Sequence, residues 1–248
     1  MLERREERDG FVGYRSPLLE SLGLPHLFTT RHLDARHELD LGALDAAARR
    51  RVSEAAGLPG APLVALQQVH GAAVVLLRAG ELPAPATEGD GLVSARADVL
   101  VGVFVADCVP VLIARSDGRR VAAVHAGWRG IVAGVVPRAL ELLGDGSKVA
   151  AIGPCLSRAH FEVGPEVSAA FERAGLGLAL ERVAGRRDHI DLRLAVATQL
   201  CAGGIARLDS SERCTYAERD EFHSYRRDVT HGGQGRTGRL GAWIAAAR

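Results

Sequence analysis

The sequence is poor in lysine and methionine. Its 31 basic residues include a single lysine, Lys148, and its one methionine is Met1. A lysine Schiff base would therefore rest on Lys148 alone, and no GxxxxGK[ST] phosphate-binding loop is present. The nine histidines form no HxH pair. Together these absences argue against a blue-copper site, which combines histidine and cysteine with a weak axial ligand such as methionine.

Paired cysteines and net charge are also lacking. The cysteines form no CxxC pair, which favours free thiols in a reducing cytoplasm over a disulfide scaffold. They are Cys108, Cys155, Cys201 and Cys214. The 31 basic and 30 acidic side chains leave a formal charge of +1. Because the chain has no net field to recruit nucleic acid or a membrane surface, neither is expected as a partner.

No segment predicts insertion into a membrane. The longest apolar stretch, residues 99–114, is interrupted by Asp107 and is shorter than the ~20 residues that span a bilayer. Residues 1–12 are charged, contain no apolar signal region, and are predicted to be mobile. We therefore expect a cytoplasmic protein.

Short strand patterns dominate the middle of the chain, and helical patterns flank them. Predicted strands cover 63–70, 72–78, 98–106, 110–115, 121–126 and 148–153. Predicted helices cover 45–57, 130–144, 165–175 and 192–204. Pro137 marks either a kink or the true first turn of the second of these helices. An Asp-Gly turn signal in SDGRR (116–120) predicts a hairpin between the strands on either side of it. With no linker in the chain, this mixture predicts one mixed α/β domain over residues 1–248.

Three side chains that bind borderline-soft metals follow apolar strand patterns. They are His70 in LQQVHG, Cys108 in FVADCVP and His125 in VAAVHAGWRG. Their separations of 38 and 17 residues do not match a zinc finger. They fit a catalytic zinc site with three protein ligands and an open position, which lowers the pKa of bound water towards ~7. The alternatives are core packing of each side chain, and a metal-free Cys108/His125 hydrolase with a thiol nucleophile.

Charged residues near these ligands have two interpretations each. Asp107 either caps backbone amides in a turn or supports the site and its proton transfers. Arg129, next to GW in GWRG, either holds a phosphate or carboxylate or faces solvent. The segment 224–239, SYRRDVTHGGQGRTGR, is basic and glycine-rich, which predicts a functional loop. The remaining candidates for an anion site, with a solvated loop as the alternative, are Arg31, Arg226, Arg227, Arg236 and Arg239.

Motifs along nearly the whole chain resemble those of one known family. They are QQVHG, DGLVS, ADCVPVLI, VHAGWRG, AIGPC, FEVGPEV, CTY, FHSYRRD and TGR. In this order they resemble the laccase-domain, polyphenol-oxidase or peptidoglycan-editing-factor family. The resemblance implies one α/β domain (mixed α+β) whose mixed β-sheets pack together and are flanked by helices.

The resemblance also implies an activity and a cofactor. The implied reaction is phosphorolysis of adenosine, inosine and 5′-methylthioadenosine to free base and (methylthio)ribose 1-phosphate, with adenosine deamination as a second activity. The implied cofactor is Zn²⁺ held by His70, Cys108 and His125, with Cu²⁺ and phenol oxidation as the alternative. Further alternatives are a Cys/His hydrolase that acts on a muropeptide precursor, and a noncatalytic binding protein that keeps the pocket. The expected partners are a purine nucleoside and phosphate, and the expected assembly is a monomer or homodimer.

For the implied chemistry, Asp107 and Glu162 are the candidates for acid or base, and Arg31, Arg129, Arg226 and Arg236 for anion binding. The chain departs from the family pattern in three places. Residues 29–42 keep only the Leu-x-Leu-Gly part of an early loop, a usual second cysteine is Ala217, and a usual aromatic is His223. None of these changes touches the three proposed metal ligands.

Overall fold

The structure is a computed structural model that describes residues 1–34, 37–43 and 45–248. Residues 35 and 36, inside the divergent segment 29–42, lie outside the described residues. The strands are β1 (Glu3–Glu6), β2 (Val12–Arg15), β3 (His26–Thr29), β4 (Leu63–Val64), β5 (Val74–Leu77), β6 (Gly91–Ser94), β7 (Leu100–Val105), β8 (Val109–Arg115), β9 (Val121–Ala126), β10 (Lys148–Ile152), β11 (Glu162–Val163), β12 (Leu180–Glu181), β13 (Asp188–Ile190), β14 (Arg207–Ser210) and β15 (Leu240–Ile244). The α-helices are α1 (Pro17–Glu20), α2 (Ala46–Ala55), α3 (Trp128–Ala133), α4 (Val135–Leu143), α5 (Pro165–Arg173) and α6 (Leu192–Ala202).

Two six-stranded sheets form the centre of the molecule. The first has the order β1-β2-β3-β15-β7-β4, and the second has the order β14-β10-β8-β9-β6-β5. Both are mixed, since β4 runs parallel to β7 and β5 runs parallel to β6, whereas most other neighbours are antiparallel. A third, three-stranded sheet has the order β11-β13-β12.

Strand β8 shows why the sheets are layered. Its side chains alternate between faces, so Leu112 and Ala114 pack into the cluster between the two large sheets. Val111 and Ile113 point the other way, into the cluster formed with helices α3 to α6. On the far side, α2 packs on the outer face of the first sheet beside Trp243. The predicted class, mixed α+β with packed sheets flanked by helices, is confirmed. No helix in the described part of the chain is long and apolar enough to cross a bilayer.

The predicted strand 63–70 is too long, because β4 covers only Leu63–Val64. Beyond that point the side chain of Gln68 replaces backbone pairing to β7. Its amide donates to the Phe104 carbonyl at 2.7 Å and accepts from the Phe104 N–H at 2.7 Å. The backbone then turns at His70, whose φ of 59° lies in the left-handed region. The predicted hairpin between β8 and β9 is confirmed, with Ala114 opposite Val121.

The predicted helix 130–144 is two helices. Gly134 has a φ of 85° and ends α3, after which α4 begins at once. Glycine takes this left-handed conformation without the steric cost of a Cβ. Pro137 lies in the first turn of α4, where its missing N–H costs nothing, so the first-turn interpretation is the correct one.

Both ends of the chain differ from the simple predictions. Within residues 1–12, predicted to be mobile, β1 pairs antiparallel with β2. Within the predicted loop 224–239, residues Arg226–His231 form a π-helical turn. The segment is helical because local contacts hold it, including a hydrogen bond from the Asp228 N–H to the Ser224 carbonyl at 2.9 Å.

A buried histidine beneath α1 makes stability depend on pH. His26 is fully buried; its Nδ1–H donates to the Leu24 carbonyl and its Nε2 accepts from the Ser16 N–H, each at 2.8 Å. Burial lowers the pKa of His26 to about 4. Because the folded pKa lies below the ordinary value of 6.5, the contribution of neutral His26 to the free energy of unfolding is complete above pH 6.5 and is lost as pH falls towards 4. The shift corresponds to about 3 kcal/mol of unfolding free energy.

We expect the urea-unfolding free energy to fall as pH is lowered from 7.5 to 4.5, and His26→Gln to remove most of that dependence. His37→Gln is the control, since His37 is exposed and should leave the slope unchanged. An equal slope in wild type and His26→Gln would show that other groups produce it.

Candidate active site

One edge of the second sheet gathers the chemically active residues. Strands β8 and β9 are antiparallel, and Pro110 lies opposite His125, so Cys108 at the start of β8 reaches the end of β9. Strand β6 pairs on the other side of β9, and the His125 N–H donates to the Asp90 carbonyl at 2.8 Å. The loop that carries His70 leads into β5, beside β6. The sheet register therefore places three loops and one strand end together.

The structure brings together His70, Cys108 and His125. Their ligand atoms all lie within 4.8 Å of one another. The two imidazole rings meet edge to face, with centroids 4.8 Å apart. His125 is buried, Cys108 is half-buried and His70 is exposed, so the cluster opens to solvent on one side. This is the arrangement of a site with three protein ligands and an open position.

Asp90 is a residue that the sequence reasoning did not assign to the site. Its carboxylate is fully buried and accepts from the His125 Nδ1–H at 2.7 Å. The same carboxylate accepts backbone N–H bonds from His70 at 2.9 Å and Gly71 at 2.6 Å. Burial opposes ionisation, but the bonds from His125 and Gly71 outweigh it and lower the pKa of Asp90. One carboxylate thus fixes the ring of one ligand and the backbone of another. The sequence signal was an aspartate directly before the apolar strand GLVS.

The donor set fits a zinc ion. With its Nδ1–H bonded to Asp90, His125 presents Nε2 as the free nitrogen of its ring. Burial alone would raise the pKa of Cys108, but the nearby imidazoles of His125 and His70 lower it to about 6, which favours the thiolate that metals bind. Burial lowers the pKa of His125, but without a metal ion Cys108 and Asp90 overcome this and raise it to about 9. A metal ion that binds Nε2 would therefore displace a proton from it.

Gly127 keeps the space beside the three ligands open. A Cβ at this position would lie 3.0 Å from the His70 Cδ2, 3.1 Å from the Cys108 Sγ and 3.6 Å from the His125 Cε1. Its backbone, with φ of −73° and ψ of 162°, suits any residue. The glycine is therefore required by space and not by conformation.

If the cluster holds a metal ion, we expect Gly127→Ala to weaken its binding about tenfold, since two side chains of the cluster must move to admit the methyl group, a loss within the range known for changes next to metal ligands. Competition with a chelator measures it. Gly177→Ala is the matched control, because nothing lies within 4 Å of the Cβ it adds. Unchanged zinc affinity in Gly127→Ala would contradict the crowding.

A cavity of about 970 Å³ opens over the cluster. This volume lies at the upper end of the range for small-molecule sites. The arginines that line it are Arg129, Arg187, Arg226 and Arg239. Among the residues that the structure describes, none of the four forms a salt bridge with a carboxylate. The cavity therefore has positive charge that its own acidic side chains do not pair.

Two of these arginines are held against aromatic rings. The guanidinium of Arg129 lies 4.4 Å from the ring centroid of Trp128, and that of Arg226 lies 5.3 Å from that of Phe161. Both rings also line the cavity. Cation–π packing of this kind holds a guanidinium in place while its N–H groups remain able to bind an anion.

Asp107 lines the cavity and is buried. Burial raises the pKa of its carboxyl, and hydrogen bonds from the backbone of Arg226 and the hydroxyl of Thr215, each at 2.6 Å, oppose the rise. Its φ of 86° is in the left-handed region, as is that of His70. Strained backbone of this kind costs about 1–3 kcal/mol and persists where surrounding contacts hold it. The carboxylate of Asp107 thus fixes the start of the π-helical turn that carries Arg226.

The other arginines proposed from the sequence lie elsewhere. Arg31 bonds to Glu38 and to the Arg219 carbonyl and does not line the cavity. Arg227 is buried and donates to backbone carbonyls, including that of Phe222 at 2.7 Å. Arg236 is exposed and outside the cavity lining. Arg187, which sequence reasoning missed, does line it. The direction of a loop arginine depends on the fold of its loop, which no local pattern reports.

Comparisons with known proteins identify the family of this chain. The family model described as multi-copper polyphenol oxidoreductase laccase matches residues 35–247. A Deinococcus radiodurans protein named purine nucleoside phosphorylase is 37% identical over 252 residues, covering 94% of each chain. A protein from an unknown prokaryotic organism, named adenosine deaminase RL5, is 37% identical over 164 residues, covering 62% of this chain and 63% of its own.

A solved structure shares the fold of this chain. The structure of YlmD from Geobacillus stearothermophilus has a TM-score of 0.85 and 27% identity, and the match covers 99% of each chain. The resemblance predicted from the sequence motifs is confirmed. Because the family model covers most of the chain and the relatives are named as enzymes, this protein is an enzyme that belongs to the multi-copper polyphenol oxidoreductase laccase family.

Proposed function

We propose that this chain is a zinc-dependent purine nucleoside phosphorylase. It would convert adenosine, inosine or 5′-methylthioadenosine, with phosphate, to free base and the (methylthio)ribose 1-phosphate. The observation that carries this proposal is the meeting of a His/Cys/His cluster and unpaired arginines in one cavity. The name of the Deinococcus relative supports the substrate class.

The arginines explain how phosphate is held. Phosphorolysis requires phosphate aimed at the anomeric C1′ atom of ribose while positive charge develops on the sugar. Arg129 lies two residues after Gly127, and the backbone N–H of Arg226 bonds to Asp107, next to Cys108. Both arginines line the cavity that contains the cluster, where they would bind phosphate with charge-assisted bonds.

His70, Cys108 and His125 would hold the zinc ion, and Asp90 would orient His125 towards it. When bound, zinc supplies a Lewis acid that polarises the substrate. Asp107, which sequence reasoning proposed as catalytic, keeps Arg226 in place through its bond to the backbone. Tyr225, about half exposed at the edge of the cavity, offers a ring face on which the purine can stack.

The test is release of hypoxanthine from inosine with and without phosphate. We expect release to require phosphate, and Arg129→Ala to raise the KM for phosphate roughly tenfold, as expected for loss of one charge-assisted hydrogen bond. Arg138→Ala is the control, since Arg138 is exposed on α4 and pairs with Glu141. Release at the same rate without phosphate would show hydrolysis instead and overturn the assignment.

A second candidate is a metal-free hydrolase, with a muropeptide precursor as the proposed substrate. It is favoured by the proximity of Cys108 and His125, whose Sγ and ring nitrogen lie within 4.8 Å of each other. The lowered pKa of Cys108 and the raised pKa of His125 agree with a thiolate–imidazolium pair there. Full turnover after removal of metal would support it against phosphorolysis by a zinc enzyme. Adenosine deamination, suggested by the name of the second relative, uses the same zinc site and is tested by inosine formation from adenosine.

Copper-dependent oxidation of phenols receives less support. Multi-copper enzymes need several metal sites, whereas the part of the chain that the structure describes contains one group of three suitable ligands, the His70 cluster. Metal analysis of the purified protein distinguishes zinc from copper.

A further inference from the structure

The large cavity continues into a second depression of about 390 Å³. The two share the lining residues Val163, Gly164, Glu166 and Arg187. None of the three metal ligands lines the second depression, so it extends the cavity away from the cluster. We call this extension, lined by residues 163–166 and 186–188, the outer arm.

Two arginines of the outer arm lack acidic partners. Arg186 and Arg187 are exposed, and among the described residues neither side chain bonds to a carboxylate. Arg182, four residues earlier in the same loop, differs in this respect. It pairs with Glu172 and lies 3.6 Å from Asp188. The loop therefore holds one neutralised guanidinium and two that are free to bind an anion.

Of the two acidic residues of the outer arm, Asp188 is paired and Glu166 lies at the start of a helix. Asp188 accepts a hydrogen bond from the Ser168 hydroxyl at 2.7 Å and faces Arg182. Glu166 is in the first turn of α5, and its carboxylate lies over Gly164 at the helix N-terminus, where the helix dipole favours negative charge. With Asp188 facing Arg182, the two guanidiniums of Arg186 and Arg187 outnumber the one remaining carboxylate, that of Glu166, so the outer arm keeps a net positive charge.

We propose that the outer arm binds a phosphate monoester carried by the substrate, so that the substrate class includes purine nucleoside 5′-monophosphates. This inference rests on the proposed function. It places one phosphate near the metal cluster, held by Arg129 and Arg226, and a second at Arg186 and Arg187. A single phosphate needs fewer guanidiniums than the cavity and its outer arm provide.

The reaction on such a substrate balances in the same way as on a nucleoside. The C1′–N9 bond breaks and a bond forms between C1′ and an oxygen of inorganic phosphate. The electron pair of the broken bond goes to the base, which takes up a proton. The products are the free purine and ribose 1,5-bisphosphate, and no oxidant or reductant is needed.

Calorimetric titration with inosine and with inosine 5′-monophosphate tests the proposal without turnover. We expect the monophosphate to bind at least about tenfold more tightly than inosine to the wild type, as two charge-assisted bonds would give. In the Arg186→Ala/Arg187→Ala double variant that advantage should fall below about twofold. Arg138→Ala is the control and should keep the advantage, because Arg138 is exposed on α4 and lines neither the cavity nor the outer arm. Because the substituted side chains are exposed, all variants should retain the wild-type Tm.

Three results would overturn the proposal. The first is equal binding of inosine and its monophosphate to the wild type, and the second is an advantage that survives in the double variant. The third is binding of inorganic phosphate that depends on Arg186 and Arg187, together with inosine 5′-monophosphate that binds no more tightly than inosine. That result would assign the outer arm to inorganic phosphate, the co-substrate. Hypoxanthine release is measured in parallel. If the wild type releases no hypoxanthine but still binds the monophosphate more tightly than inosine, the phosphorylase assignment is refuted and the outer arm remains an anion site.

Discussion

Cys108→Ala is expected to lose stoichiometric zinc and, with it, phosphate-dependent release of hypoxanthine. The thiolate is the only sulfur ligand of the cluster, and the two imidazoles that remain cannot complete a site with three protein ligands. We expect zinc affinity to fall by more than the roughly 10–100-fold that loss of a supporting residue costs. Metal content after dialysis and the inosine assay measure both effects.

The matched control for this variant is Cys201→Ala. Cys201 is an exposed cysteine on α6, so its loss changes the thiol count without touching the cluster. Turnover lost in Cys108→Ala while zinc remains bound at full occupancy would assign the thiol to nucleophilic attack and favour the hydrolase. Full turnover without zinc would remove the metal from the mechanism.

Asp90→Asn is expected to weaken zinc binding about 10–100-fold and to destabilise the fold by about 3 kcal/mol. One carboxylate oxygen accepts from the His125 Nδ1–H and the His70 N–H, and the other from the Gly71 N–H. An amide has one acceptor oxygen, so its NH₂ group would face an N–H donor. His125 would then be free to rotate or to place its proton on the nitrogen that binds the metal.

Chelator competition, urea unfolding and the visible spectrum of the cobalt-substituted protein together check the Asp90 prediction. A changed ligand-field spectrum reports altered orientation of the ligands, which a loss of stability alone would not produce. Asp98→Asn is the control, because Asp98 is exposed and pairs with Arg96 on the surface. Wild-type zinc affinity in Asp90→Asn would refute the positioning role.

Much of the fold follows from local patterns in the sequence. The apolar runs at β7 to β10 predict strands, and the Asp-Gly signal predicts the β8–β9 hairpin, because alternation and turn chemistry are properties of neighbouring residues. Sequence reasoning missed β6, the first-sheet strands β1, β2, β3 and β15, and strands β11 to β14, none of which is longer than five residues. It also extended β4 by six residues. The side chain of Gln68 bonds to β7 in place of the backbone, and this contact with a distant strand leaves no sign in the local sequence.

The members of the His/Cys/His cluster were predictable from the sequence, and the residue that supports them was not. His70, Cys108 and His125 carry ligand chemistry in their side chains, and each follows an apolar pattern that ends at a turn. Asp90 offers no such sign, because an aspartate before a strand is also an ordinary turn residue. Its role arises from the pairing of β6 with β9, which brings it to His125 across 35 positions of sequence.

The arginines also separate what the sequence determines from what the tertiary structure decides. The sequence alone made arginine the main basic side chain available to bind an anion, since the chain has one lysine, and it supplied a zinc-type donor set. Only the tertiary structure decided that Arg187 and Arg239 face the cavity while Arg31 pairs with Glu38. Residue type and short-range pattern are written in the sequence, whereas register, side-chain direction and ion pairing are settled by packing between distant segments.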